Sequence, residues 1–151
     1  MIEFQKILLP VDFSPLCEFA ARYVARLATA FGSQIHVLHV VPVDTLVATV
    51  PEQAATFVAA PQSQLDEGER MVDAFVKTWL PDLPVEKRAV RGIPAVDIAR
   101  EARELGVDLI VMGTRAEGVV RRLVFGSVSK SVLESAPCAV LLVPLAAAAT
   151  E

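Results

Sequence analysis

Between Gly113 and Ser127 the chain reads GTRAEGVVRRLVFGS, a glycine-, serine- and arginine-containing stretch that follows an apolar run and precedes a helical one. Gly126-Ser127 falls at a predicted helix N-terminus, where unpaired backbone N–H groups and the helix dipole attract an anion. The Ser127 hydroxyl adds one donor, and Val128 and Ser129 continue the same turn. Arg115, Arg121 and Arg122 outnumber Glu117 here, a local positive excess in a chain of formal net charge -4. That excess favours phosphate. An ordinary helix cap with solvated arginines explains the same residues without a ligand, since serine and glycine are common caps. Asp12, just past the first predicted strand, offers a carboxylate that accepts hydrogen bonds from ribose hydroxyls. It serves equally as a capping acceptor for the following helix.

Several familiar chemistries are absent. A Walker loop needs G-x-x-x-x-G-K-[ST], but Ser127 is followed by Val128, and Lys130 stands too far along. The turn after the first strand, PVDFSP, lacks the glycines of a dinucleotide fingerprint. No serine sits in a G-x-S-x-G elbow, and no carboxylate pair has a hydrolytic spacing. A conventional hydrolase is not expected, and backbone recognition of an anion is what remains. His36 and His39 are three apart on a predicted strand and point to opposite faces, so they cannot share a metal and are read as structural. Cys17 and Cys138 match no zinc or redox spacing and read as small apolar residues; no metal site is expected.

The elements that position these residues follow from periodicity. Apolar runs at Lys6–Val11, Gln34–Val41, Asp108–Met112 and Ala139–Val143 read as buried strands, and the alternating Val85–Arg91 as a partly exposed one. Helices are expected from Pro15 to a C-cap at Gly32, from Gln62 to Leu80, from Pro94 to a C-cap at Gly106, and over Ser127–Ser135. Strand and helix alternate, which means an α/β fold with a parallel sheet and right-handed crossovers. Ligands in such sheets bind beyond the carboxyl ends of the strands, which singles out Pro10–Ser14, Val41 onward, Arg91–Pro94 and Met112–Ser127. The connection over residues 43–61 is long for a compact domain and rich in apolar residues. Packing against its own domain, a helix turn, a lid, or contact with a protein partner would each explain it.

With 54% apolar and 21% charged residues, 151 residues make one domain with ample core material. The acidic balance argues against nucleic acid as a partner. No stretch is long and apolar enough for a membrane span, and the N-terminus lacks export features, so a cytoplasmic location is expected.

The segments ILLPVDFS, RGIPAVDIAREARELGVDLIVMGTR and GSVSKSVLESAPCAVLLVP resemble the universal stress protein family over nearly the whole chain, Val43 to Gln62 being the main part left out. The resemblance implies a Rossmann-like fold of the adenine nucleotide alpha hydrolase-like type. That fold is an open five-stranded parallel sheet in order 3-2-1-4-5 with four helices on both faces. It gives a single domain over residues 1–145 and a short tail, 146–151. Members that bind ATP carry G-x2-G-x9-G-[ST], which falls on Gly113, Ala116, Gly126 and Ser127, so one glycine is replaced. By resemblance, Asp12 contacts the ribose or adenine, and Pro10 and Val41 flank the base. Met112 and Gly113 approach the nucleotide, while Gly126, Ser127, Val128 and Ser129 meet its phosphates; Arg115 is added for its charge. If the replaced glycine needs a positive φ, Ala116 costs roughly 1–2 kcal/mol, and Glu117 adds repulsion. The implied function is a homodimeric, ATP-binding regulator of stress response, with Mg2+ as companion ion and the fifth strand as dimer edge. The alternative is a nucleotide-independent homodimeric interaction protein whose ATP loop is degraded at Ala116 and Glu117.

Overall fold

Apolar strands that bury both faces need a helical layer on each side, and the chain supplies them in alternation. The computed structural model describes residues 2–43, 62–117 and 122–146, with side chains left aside at 116, 117, 122–124 and 146. The elements are β1 Lys6–Pro10, α1 Pro15–Phe31, β2 Gln34–Pro42, α2 Gln62–Trp79 and β3 Val85–Gly92. They continue with α3 Pro94–Leu105, β4 Leu109–Glu117, β5 Arg122–Val124, α4 Ser127–Ser135 and β6 Ala139–Ala146.

Five strands are parallel, in the order β3-β2-β1-β4-β6, which is 3-2-1-4-5 when the parallel strands alone are numbered along the chain. The strand-order reversal lies between β1 and β4, so the carboxyl ends of these two strands flank the natural crevice. Side chains alternate across the sheet. Ile7, Leu9, Ile35, Val37 and Val111 pack with α1 and α2. Leu8, Leu38, Val40, Ile110 and Met112 pack on the other face with α3 and α4. The helix ends follow the sequence signals: Pro15 and Pro94 open α1 and α3, while Gly32 and Gly106, at φ 68° and 61°, end them in the left-handed region. Glu101, buried on α3, is held by Arg88 of β3 at 2.9 Å.

The sheet departs from expectation beyond Met112. A loop was expected from Gly113 to Ser127, but β4 continues to Glu117, and Arg115, Ala116 and Glu117 pair antiparallel with Val124, Leu123 and Arg122. Ala116 is therefore extended backbone, which any residue adopts, and the positive-φ penalty considered for it does not arise. The 44–61 connection, Gly118, Arg121 and the tail beyond 146 lie outside the described residues.

Candidate functional site

β1 ends at Pro10, and the chain turns sharply into α1. Phe13 takes a φ of 63°, a left-handed conformation that costs a non-glycine residue about 1–2 kcal/mol. Three contacts hold it there. The Ser14 N–H donates to Asp12 Oδ1 at 3.0 Å, the Phe13 ring lies 4.6 Å from that of His39, and Phe75 closes the far side at 6.2 Å. His39 in turn bonds the carbonyl of Val11 through Nδ1 at 2.8 Å. A carbonyl only accepts, so Nδ1 carries the hydrogen. His39 is thus structural, as expected, but its task is to brace the turn that presents Asp12.

Asp12 is solvent-facing and ionised at neutral pH. Burial of part of the group pushes its pKa up, and hydrogen bonding from Ser14 more than offsets this, holding it below 3.8. The Cys17 thiol beside it donates to the Ser14 carbonyl at 3.1 Å, and burial pushes its pKa up to about 11. It is an inert neighbour.

The two glycines of the loop motif do different work. A Cβ at Gly113 would stand 2.6 Å from the carbonyl carbon of Leu16 and 2.8 Å from its Cβ, so Gly113 lets β4 abut the first turn of α1. A Cβ at Gly126 would meet nothing within 4 Å, and φ -66°, ψ 162° is open to any residue. Packing within the described residues does not call for a glycine at 126.

Three helix N-termini converge here, and their electrostatics differ. At α3, the Asp97 carboxylate accepts the Ile93 N–H at 2.6 Å and pairs with Arg100, placing a negative charge at the helix start. At α1, Ser14 N–H is taken by Asp12 and Pro15 has no N–H, so this end is also occupied by a carboxylate. At α4, Gly126 offers no side-chain cap, and the first intrahelical bond runs from Lys130 N to Gly126 O at 3.1 Å. The N–H groups of Ser127, Val128 and Ser129 are those the helix itself leaves unpaired. Of these three ends, α4 is the one whose entering backbone is not hydrogen-bonded by a carboxylate among the described residues.

These features line one cleft of about 620 Å³, within the range of small-molecule sites. Pro10, Asp12, Met112, Gly113, Arg115, Gly126, Ser127, Val128 and Ser129, nine of the ten residues singled out in the sequence, stand on its walls. Val41 does not. Its side chain points to α2, with Cγ2 only 3.1 Å from where a Gly68 Cβ would stand, while Val40 and Pro42 line the cleft. The period-two alternation of β2 contained that correction. Leu38, Pro94, Ile98 and Thr114 complete the walls and carried no signal of chemistry in the sequence. Val40, Pro42, Pro94 and Ile98 are apolar members of the lining. No group of three His, Cys, Asp or Glu side chains stands together among the described residues to hold a metal. A divalent cation here would lean on phosphate oxygens, as Mg2+ commonly does. No helix among the described residues is long and apolar enough to cross a membrane.

The model of the universal stress protein family matches residues 3–144. A universal stress protein of Thermus aquaticus is 34% identical over 143 residues, covering 93% of this chain and 98% of its own. The solved structure of MJ0577, which is called a universal stress protein of Methanocaldococcus jannaschii, superposes with a TM-score of 0.73 at 26% identity, covering 95% of this chain and 98% of that one. Two more distant structures share the fold. One is a universal stress protein solved with cAMP (TM-score 0.64, 20% identity, 94% and 98% covered). The other is from Archaeoglobus fulgidus, solved with dAMP (TM-score 0.57, 21% identity, 94% and 98% covered).

Proposed function

The chain belongs to the universal stress protein family, and from that premise we propose that its cleft binds an adenine nucleotide whose occupancy regulates a cytoplasmic stress response. One observation carries the reading: an ionised Asp12, apolar lining residues and the uncapped N-terminus of α4 face the same cavity. Each matches one part of a nucleotide. The base is buried between Val40, Pro42, Pro94 and Ile98, which removes apolar surface from water. The Asp12 carboxylate accepts from ribose hydroxyls, in the position carboxylates take in related sheets. The amides of Ser127, Val128 and Ser129 and the dipole of α4 hold phosphate, with Arg115 at the rim. The adenine-nucleotide complexes of the distant structures with cAMP and dAMP point the same way.

ATP, accompanied by Mg2+, is the ligand that the partial loop motif implies. In this reading turnover is slow at most, and occupancy is the signal. Self-association fits the two sheet edges. β3 is fringed by Glu86, Lys87 and Arg88, charges that discourage strand pairing, whereas β6 reads AVLLVPLA, and Leu133 of the preceding helix is exposed. A second copy of the chain would pair along β6.

Calorimetric titration of protein verified as nucleotide-free, with AMP, ADP and Mg-ATP in turn, tests the reading. Saturable one-site binding, with a Kd on the order of micromolar for at least one of them, is expected. Flat titrations with all three would refute it.

A further inference from the structure

Resting on that reading of the cleft, we propose that this chain selects a nucleoside monophosphate, linear or cyclic, over a triphosphate, because the β4–β5 ladder has taken up the backbone donors that a longer phosphate chain would use. A glycine-rich loop cradles a polyphosphate by offering it successive free N–H groups. Here the described parts of the equivalent stretch, up to 117 and from 122 to 124, are strand. Arg115, Ala116 and Glu117 pair with Val124, Leu123 and Arg122, and Arg115 and Ala116 pair on their other edge with Leu145 and Ala146 of β6. Residues 115 and 116 therefore sit in a strand flanked on both sides, and their N–H and C=O groups belong to ladders.

The position of β5 matters as much as its bonds. Because β6 occupies one edge of β4 as far as Ala116, β5 must lie on the edge that β1 occupies lower down, where Leu8 pairs with Ile110. Continuing that register brings Asp12 level with Thr114, so Val124, opposite Arg115, takes the next place in the sheet. β5 thus stands directly beyond the Asp12 turn, and only Phe125 and Gly126 separate it from α4.

A phosphate extending from a ribose at Asp12 meets the first turn of α4 at once, and further phosphates meet paired strand. The other two helix ends offer no relief, since carboxylates of Asp12 and Asp97 stand at both. One helix N-terminus with the hydroxyls of Ser127 and Ser129 suits one phosphoryl group. Each added phosphate brings negative charge toward an ionised Asp12 without new backbone donors among the described residues.

Calorimetry on the full chain with AMP, cAMP and ATP, each with and without Mg2+, reads the selectivity directly. AMP or cAMP is expected to bind at least tenfold more tightly than ATP. ATP binding as tightly as the better of the two would overturn the inference while leaving an adenine-nucleotide site intact. No binding by any of the three would instead overturn the site itself. Leu123→Pro, which removes an N–H from β5 and disrupts its pairing, tests the cause, with circular dichroism confirming the fold. The preference is expected to shrink at least threefold. An unchanged preference in the folded variant would show that the ladder does not set it, and the wild-type comparison decides selectivity if the variant fails to fold.

Discussion

Alanine at Gly113 and alanine at Gly126 are expected to fail in opposite ways, although both glycines belong to one motif. At Gly113 the added methyl would lie 2.6 and 2.8 Å from two atoms of Leu16 at the start of α1, well inside ordinary contact. The first turn of α1 must retreat from β4, and overpacking of this kind costs about 1–3 kcal/mol. For a chain of this length each kcal/mol shifts Tm by about 2–4 °C, so a drop of about 2–12 °C is expected. At Gly126 the methyl meets nothing within 4 Å and the backbone needs no adjustment. Alanine caps helices less well than glycine, which costs under about 1 kcal/mol. The same methyl, however, enters the open space beside the α4 N-terminus, where the account puts the anion. Nucleotide affinity is expected to fall at least tenfold, about 1.4 kcal/mol. Thermal unfolding followed by circular dichroism, beside calorimetric titration of each variant, reads both effects. If Gly126→Ala lost as much Tm as Gly113→Ala, or kept wild-type affinity, the division of labour between the glycines would be refuted.

Asp12→Asn should weaken nucleotide binding by about tenfold or more, since a hydrogen bond to a charged group is worth about 1.5–3 kcal/mol. The Asp12 pKa is depressed in the fold, so its contribution to stability is full above the unfolded value of 3.8 and is lost as pH falls through the folded value. Denaturant titrations of wild type and Asp12→Asn should therefore converge as pH drops below about 4, and parallel curves would contradict this. With its pKa raised from 9.0 to about 11, the Cys17 thiol should react with a disulfide reagent at pH 8 about tenfold more slowly than an unshifted thiol, the roughly 100-fold lower thiolate fraction being partly offset by a more nucleophilic thiolate; rapid labelling located at Cys17 would contradict its buried placement. The wild-type chain should sediment as a dimer at micromolar concentration and Leu133→Glu should shift it toward monomer, whereas a monomeric wild type would remove the β6 edge as an interface.

The regular parts of the fold were legible because each rested on local signals. Pro15 and Gly32 bracket α1, Pro94 and Gly106 bracket α3, and uninterrupted apolar runs mark the buried strands. β5 was not legible. Three residues, Arg122 to Val124, are too few to show a period, and their strand conformation depends on a partner in β4 rather than on their own propensities. The same gap led to a φ penalty at Ala116 that extended backbone does not incur. Nine of the ten singled-out residues meet at the cleft because motif positions follow strand ends, which the topology brings together. Val41 failed by one position, and in a strand one position is the opposite face. The bracing of Phe13 by His39, and of the Val11 carbonyl by the same ring, joins β1 to β2 across 28 residues and leaves no local trace.

The most direct test is amide chemical-shift mapping of isotope-labelled, nucleotide-free protein titrated with AMP. Binding at the cleft is expected to move the amides of Ser127, Val128 and Ser129 most, together with those of the Asp12–Ser14 turn, while the β3 edge at Glu86–Arg88 stays still. Unmoved α4 amides, whether through no shifts at all or shifts concentrated elsewhere, would contradict a nucleotide held by the open end of that helix.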